Sequence, residues 1–281
     1  MRWPPQRRRF LTPRPNISES SGTLIAALPL EHSFQSGLPI TFPWRLGLPD
    51  FVTASVHWFS CESEETAWVL LPSVASNKRR REFIAGRLCA VDALRRSGCT
   101  NPGLLVPGKD RLPDWPRGWC GSISHTSDCA IAAVAPAKRY LALGVDIEKI
   151  FSADTARSVQ SEILSPEEIL LCGEMDDQLK TTLVFSAKES VYKALYSQVR
   201  RVLDFDAARL SEIGPDRMTF LLTEDWSRAW PRDSSIQAHY AIQDGYVCTA
   251  VCIPRGELSS LAESDAGSAQ PCSRLEQERT I

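Results

Sequence analysis

No run in this sequence approaches the roughly 20 consecutive apolar residues that span a bilayer, because charges, Pro or Gly interrupt every hydrophobic stretch within about ten positions. No membrane-spanning helix is expected. Neither sign of charge is in excess either: 32 Lys+Arg against 34 Asp+Glu leave a net charge of −2. That excludes wholesale phosphate neutralisation along a nucleic acid and leaves only local anion sites. The nine cysteines lack the paired short spacings of a zinc site or a secreted disulfide framework. Reduced thiols in a cytoplasmic protein are the expectation. Cys248 and Cys252 share one face of a strand-like run about 13 Å apart, too far to hold one ion. Arg7-Arg8-Arg9-Phe10-Leu11 has a twin-arginine look, yet Thr12-Pro13-Arg14-Pro15 follows it instead of an apolar export segment.

With 43% hydrophobic residues in 281, the chain can build a substantial core. Residues 1–40 (Pro, Ser, Arg) and 254–281 (Ser, Glu, Gln) are too poor in large apolar side chains to join it, and are read as disordered tails. Between them, alternation at Val52–Trp58 predicts a half-buried strand. Ser76 or Asn77 can cap a helix over 77–97, with Ile84, Leu88 and Val91 on one face and Gly98 as its stop. A Pro- and Gly-rich loop follows to Trp119. Cys129–Ala135 and Tyr140–Ile147 read as strands. Ser165-Pro166-Glu167-Glu168 has the form of a capped helix start, and Gln178 to about Arg200 is a longer helix. Strands at Met218–Thr223, Ile236–Ile242 and Tyr246–Ile253, with an Asp244-Gly245 hairpin turn, complete the chain. The fold class is α+β, in two similar-sized halves, 41–143 and 144–253. No sequence repeat relates them.

Four groups of residues can carry chemistry. In Gly144-Val145-Asp146-Ile147-Glu148, strand geometry puts Asp146 and Glu148 on one face, where two carboxylates repel unless a cation lies between them, and hard oxygen ligands suit Mg²⁺. A solvated strand end would look the same. In Phe185–Leu195, Glu189 and Lys193 share a helix face, so the carboxylate can complete a metal site while the ammonium meets a phosphate. An ordinary i,i+4 salt bridge worth a few tenths of a kcal/mol fits equally. Gly121–Ser127 offers small residues, hydroxyls and His125 in a turn able to cradle a phosphate, or a plain capped loop. It has no nucleophile-elbow pattern. Lys78-Arg79-Arg80-Arg81 opens a helix against its dipole, a mildly unfavourable placement unless an anion binds there.

In this order and at these separations, the groups resemble the 4′-phosphopantetheinyl transferases of the large, two-halved surfactin-type class, in particular the enterobactin synthetase component D branch. The motifs are Phe83-Ile84-Ala85-Gly86-Arg87, Trp115-Pro116-Arg117-Gly118 with Gly121–His125, Gly144–Glu148, and Phe185–Lys193. The resemblance spans about residues 50–253. Phe185 stands where many members have Trp, and Ser190 where Ala is common.

The resemblance implies two α/β halves related by a pseudo-twofold, with the active site in the cleft between them. It implies transfer of the 4′-phosphopantetheine group of coenzyme A to a serine of an apo acyl or peptidyl carrier protein, with release of 3′,5′-ADP. Asp146, Glu148 and Glu189 would hold Mg²⁺, and Glu189 would also serve as general base. Lys193 would meet the pyrophosphate. Ser124, His125 and Arg87 would bind the nucleotide, Lys109 a phosphate, and Arg80 and Arg81, ahead of Arg79, the 3′-phosphate. A cytoplasmic monomer serving siderophore, peptide or polyketide synthesis is expected. A Mg²⁺-dependent phosphohydrolase could use the same three acids, and a non-enzymatic coenzyme A or carrier-binding module is the third reading.

Overall fold

The apolar run at Cys129–Pro136 is buried along nearly its whole length, so it must be covered on both faces. The computed structural model describes residues 46–50, 52–58, 77–103, 105–108 and 112–256. Residues 1–40 and 257–281, Ser76 and Lys109 lie outside the described residues.

Strands β1 (Thr53–Trp58), β2 (Trp119–His125) and β3 (Cys129–Pro136) form an antiparallel sheet in the order β1-β3-β2. Helix α1 (Asn77–Arg96) covers one face of it. Its buried stripe is Ala85, Cys89, Ala90, Ala93 and Leu94 against Ala130, Ala132 and Val134 of β3. The face expected from Ile84 and Leu88 is only half-buried. Small residues win because the helix lies close on the sheet: a Cβ on Gly86 would come within 2.7 Å of Ile123 Cγ2 on β2.

The second sheet runs β4-β8-β7-β6-β5, all antiparallel. Its strands are β4 (Tyr140–Lys149), β5 (Ala208–Ile213), β6 (Arg217–Leu222), β7 (Ser235–Gln243) and β8 (Tyr246–Pro254). Helices α2 (Ala153–Ile163), α3 (Pro166–Leu171) and α4 (Asp177–Val199) pack on it through Val184, Val191, Leu195, Met218 and Phe220. The other faces of the two sheets meet in a shared core containing Val56, Ile131, Val145, Ile147 and Cys248. The layers are therefore α1, first sheet, second sheet, α4.

Each half begins with a strand, passes through helix, and returns so that its last strand pairs with its first: β3 with β1, β8 with β4. The chain changes sheet at the turn Ala137–Arg139, so β4 starts four residues ahead of Gly144.

β2 and β4 are both edge strands, and they meet. An edge strand presents unpaired N–H and C=O groups. Side chains supply the partners here: Val145 N donates to Ser122 Oγ at 3.0 Å, and Lys193 Nζ of α4 donates to Val145 O at 3.2 Å. At the far end of the seam Tyr246 Oη donates to Asp128 Oδ2 at 2.8 Å.

Gly121–His125, expected as a turn, is strand β2. Ser122 and Ser124 are buried on its inward face because they bond to β4. α2 and β5 were not anticipated. α2 buries only Ala156 and Ile163, too few for a visible apolar stripe, and β5 has a register shift between Leu210 and Glu212 that breaks its alternation. The capping box at Ser165, the Pro166 helix start and the positive-φ pair Asp244 (53°) and Gly245 (79°) follow the sequence reading.

Candidate functional site

Gly144 determines how near α4 comes to β4. A Cβ there would collide with the Ser190 carbonyl and lie 2.7 Å from Ala194 N, so only glycine lets the helix backbone rest on the strand. Small polar residues complete the contact: Ser190 Oγ lies 2.7 Å from Thr249 Oγ1 and 3.1 Å from Thr249 O, and Thr249 Oγ1 donates to Ser186 O at 2.9 Å. α4 thereby packs against β4, with Lys193 half-buried against Asp146 and Glu189, also half-buried, acting on the charge of Glu148.

Lys193 Nζ lies 2.6 Å from Asp146 Oδ1 and 2.8 Å from Ser124 Oγ. Ser124 in turn donates to Asp146 Oδ1 at 2.8 Å. Asp146 is 2% exposed, and its second oxygen, Oδ2, is buried with no hydrogen-bond partner. Glu148 follows two residues on. Burial, then the neighbouring Asp146, push its carboxyl well above the usual range; Lys193 opposes this and Glu189 adds to it. Asp146 and Glu189 thus both bear electrostatically on Glu148, and the tightest contact there is between Asp146 and the Lys193 ammonium.

The first half contributes the facing wall. His125 ends β2, with burial first and then Arg79 and Lys193 driving its imidazole down to about 4, so it is neutral at pH 7. Its Nδ1 lies 3.9 Å from Glu82 Oε2, the oxygen that Arg79 Nη1 approaches at 3.8 Å. Glu82 is buried and also faces Lys78 at 4.0 Å. Arg79 and Lys193 are thus cations whose charge reaches His125. Arg80 is half-buried and Arg81 exposed. Helical phase carried this signal, since Arg79, Glu82 and Gly86 lie at i, i+3 and i+7, and Gly86 faces β2. Arg87 is buried, with Nε donating to Leu105 O at 2.8 Å and its guanidinium 4.5 Å over the Phe83 ring. Burial lowers it to about 10.

Glu167 and Glu168 belong elsewhere. Glu167 is exposed and accepts from Ser165 Oγ, while Glu168 is buried against Lys188.

Carboxylate oxygens are the donors a hard divalent cation takes. Among the described residues no three Asp, Glu, His or Cys side chains close around one point as a metal-binding group. The donor chemistry, the orphaned Asp146 Oδ2 and the Glu148 carboxyl, raised by burial and then by its neighbouring carboxylates, nevertheless fit such a cation, with Lys193 the group occupying Asp146 Oδ1.

Comparison with known proteins matches the two halves separately. Residues 64–135 fit the 4′-phosphopantetheinyl transferase N-terminal domain, and residues 142–251 fit the 4′-phosphopantetheinyl transferase superfamily. Enterobactin synthase component D of Salmonella typhi is 37% identical over 196 residues, covering 66% of this chain and 77% of that protein. The chain belongs to the 4′-phosphopantetheinyl transferase superfamily. The transferase Svp of Streptomyces mobaraensis is 34% identical over 220 residues, 74% of this chain and 89% of its own. Enterobactin synthase component D of Escherichia coli K12 is 43% identical over 125 residues, covering 43% of this chain and 56% of that protein. Among the superfamily, this transferase stands with the enterobactin synthase component D branch. The seam between β2 and β4 lies between the two matched segments, and no described helix is long and apolar enough to cross a membrane.

Proposed function

We propose that this transferase moves the 4′-phosphopantetheine group of coenzyme A onto a serine of an apo carrier protein, releasing 3′,5′-ADP, and that it does so as a Mg²⁺-dependent cytoplasmic monomer. The observation that carries the reading is that Lys193 holds Asp146 of its own half at 2.6 Å and Ser124 at 2.8 Å across the seam of the two halves. An anionic substrate needs cations and donors from both walls, and a metal needs unpaired carboxylate oxygen. Both needs converge on this seam.

Asp146, Glu148 and Glu189 would hold the cation. When bound, it draws charge from the pyrophosphate and steadies the leaving diphosphate oxygen. The chain's own residues do the rest. Arg79, Arg87, Ser124 and the neutral His125 orient the nucleotide end, with Arg80, Arg81 and Lys109 as further phosphate contacts. Lys193 brings its ammonium to the diphosphate. Glu189, half-buried at the cleft, accepts the proton of the carrier serine as its oxygen attacks the β-phosphorus. The new P–O bond forms as the bond to the bridging oxygen breaks, and 3′,5′-ADP departs with that oxygen. Catalysis is chiefly positioning and charge neutralisation.

Incubation with coenzyme A, Mg²⁺ and a panel of apo carrier proteins tests this. The expected outcome is one added phosphopantetheinyl group on at least one siderophore- or peptide-synthase carrier, an equal yield of 3′,5′-ADP, and none with EDTA. Phosphate release from coenzyme A without carrier modification would overturn the reading in favour of a phosphohydrolase.

A further inference from the structure

Lys193 meets three acceptors: Asp146 Oδ1 at 2.6 Å, Ser124 Oγ at 2.8 Å and Val145 O at 3.2 Å. An ammonium has three N–H donors, so this set uses all of them. Two acceptors belong to β4 and one to β2, so the side chain bridges both halves at the point where their acids and hydroxyls meet. Its own side chain is 21% exposed, against 3% for that of Asp146. The ammonium therefore closes the cleft side of a carboxylate that is otherwise enclosed.

A divalent cation bound to Asp146 would stand within a few ångströms of that ammonium. Like charges at such range, in a site poor in water, repel strongly. The two cations compete for one carboxylate, and Asp146 Oδ1 is already shared between Lys193 and Ser124. A lysine has four flexible methylenes and can swing to another acceptor in reach. A diphosphate supplies one.

Building on the proposed metal and coenzyme A assignments, we propose that Lys193 is an exchangeable counter-ion. It pairs with Asp146 until a diphosphate ester draws it away, so that the divalent cation and the diphosphate bind cooperatively through this one side chain. The step exchanges ion pairs only. Lys193 leaves a carboxylate oxygen for a phosphate oxygen, the cation takes the carboxylate, and no proton or covalent bond changes hands. Reciprocity follows: the cation must strengthen diphosphate binding by the factor by which the diphosphate strengthens cation binding.

Mn²⁺ binding, measured by electron paramagnetic resonance with and without coenzyme A and corrected for Mn²⁺ held by coenzyme A in buffer, tests the exchange without turnover. In the wild-type protein coenzyme A should tighten Mn²⁺ binding by about tenfold or more, within the usual range of site-to-site coupling. Lys193→Met should bind Mn²⁺ alone about tenfold more tightly than wild type, and added coenzyme A should then contribute less than about twofold. Ser124→Ala, which removes one of the ammonium's acceptors while keeping the lysine, should shift Mn²⁺ binding the same way by a smaller factor, and it covers the case that Lys193→Met does not fold. Mn²⁺ binding to both variants no tighter than wild type, or full coenzyme A reinforcement in Lys193→Met, would overturn the exchange while leaving the metal assignment standing. No Mn²⁺ binding by wild type, even with coenzyme A, would overturn both.

Discussion

Helix α4 carries two lysine–carboxylate pairs five residues apart, and their surroundings could hardly differ more. Lys188 Nζ lies 2.8 and 3.0 Å from the two oxygens of Glu168 and donates to Ile163 O at 2.8 Å. Glu168 also accepts from Leu210 N at 2.7 Å and Ser165 N at 2.8 Å. Both Glu168 oxygens are thus shared between Lys188 and a backbone N–H, and both side chains are 3% exposed. Lys193 with Asp146 has the same chemistry, but one oxygen is orphaned and the lysine reaches the cleft. The first pair ties α2, α3, α4 and β5 together and has nothing left to offer. The second has an unused acceptor, a partly exposed cation and two more carboxylates beside it. The first pair is saturated and the second is not.

The contrast breaks most visibly at the saturated end. Lys188→Met strands a buried carboxylate and should cost about 3–5 kcal/mol, and adding Glu168→Leu should recover only part of it, because Leu210 N and Ser165 N then lose their acceptor. Urea unfolding of the two variants checks this, and a single variant losing under about 1 kcal/mol would make the pair unimportant. Gly144→Ala comes next. Pushing α4 off β4 should cost about 1–3 kcal/mol or more and abolish carrier loading by separating Lys193 and Glu189 from Asp146. Wild-type activity in Gly144→Ala would show that the close approach does not matter.

His125 gives a pH-dependent test. Its folded value of about 4 lies below the free value of 6.5, so the unfolded chain binds the proton more readily. Its contribution is complete above about pH 6.5 and is lost as pH falls towards 4. A lowering of this size corresponds to on the order of 3 kcal/mol. His125→Gln should flatten the difference in unfolding free energy between pH 5 and 7 relative to wild type. An unchanged slope would mean that His125 is not held neutral.

The smallest effect sharpens the comparison directly. Lys193→Met in EDTA should destabilise by about 1–2 kcal/mol, because Asp146 loses its counter-ion, and millimolar Mg²⁺ should restore most of the loss through linkage. Lys188→Met should show no such rescue in thermal melts. Equal rescue of both would erase the distinction drawn here.

How much of this was legible beforehand follows from which forces set each element. β4 and α4 were readable because the apolar run at Tyr140–Ile147 and the motifs Gly144–Glu148 and Phe185–Lys193 are local. The capping box at Ser165 was readable as a helix start, but Glu168 as the partner of Lys188 was not, since the pair joins residues 20 apart through tertiary packing. β2 looked like a turn because its inward residues are Ser122 and Ser124, whose strand conformation depends on β4 lying opposite. The run Lys78–Arg81 showed a local excess of charge, but the approach of Arg79 to Glu82 Oε2 depends on the phase of α1 against β2. Within Gly144–Glu148 the sequence pointed to two acids on one face, but not to the lysine that bridges Asp146 to Ser124.

Phosphopantetheinyl transfer is assigned to Asp146, Glu148, Glu189 and Lys193. Glu189→Ala tests it most directly, with intact-mass measurement of carrier loading beside wild type and circular dichroism and coenzyme A binding as controls. The expected result is a loss of about 10²–10⁴ in rate with folding and coenzyme A binding largely kept. Unchanged loading by Glu189→Ala would contradict it.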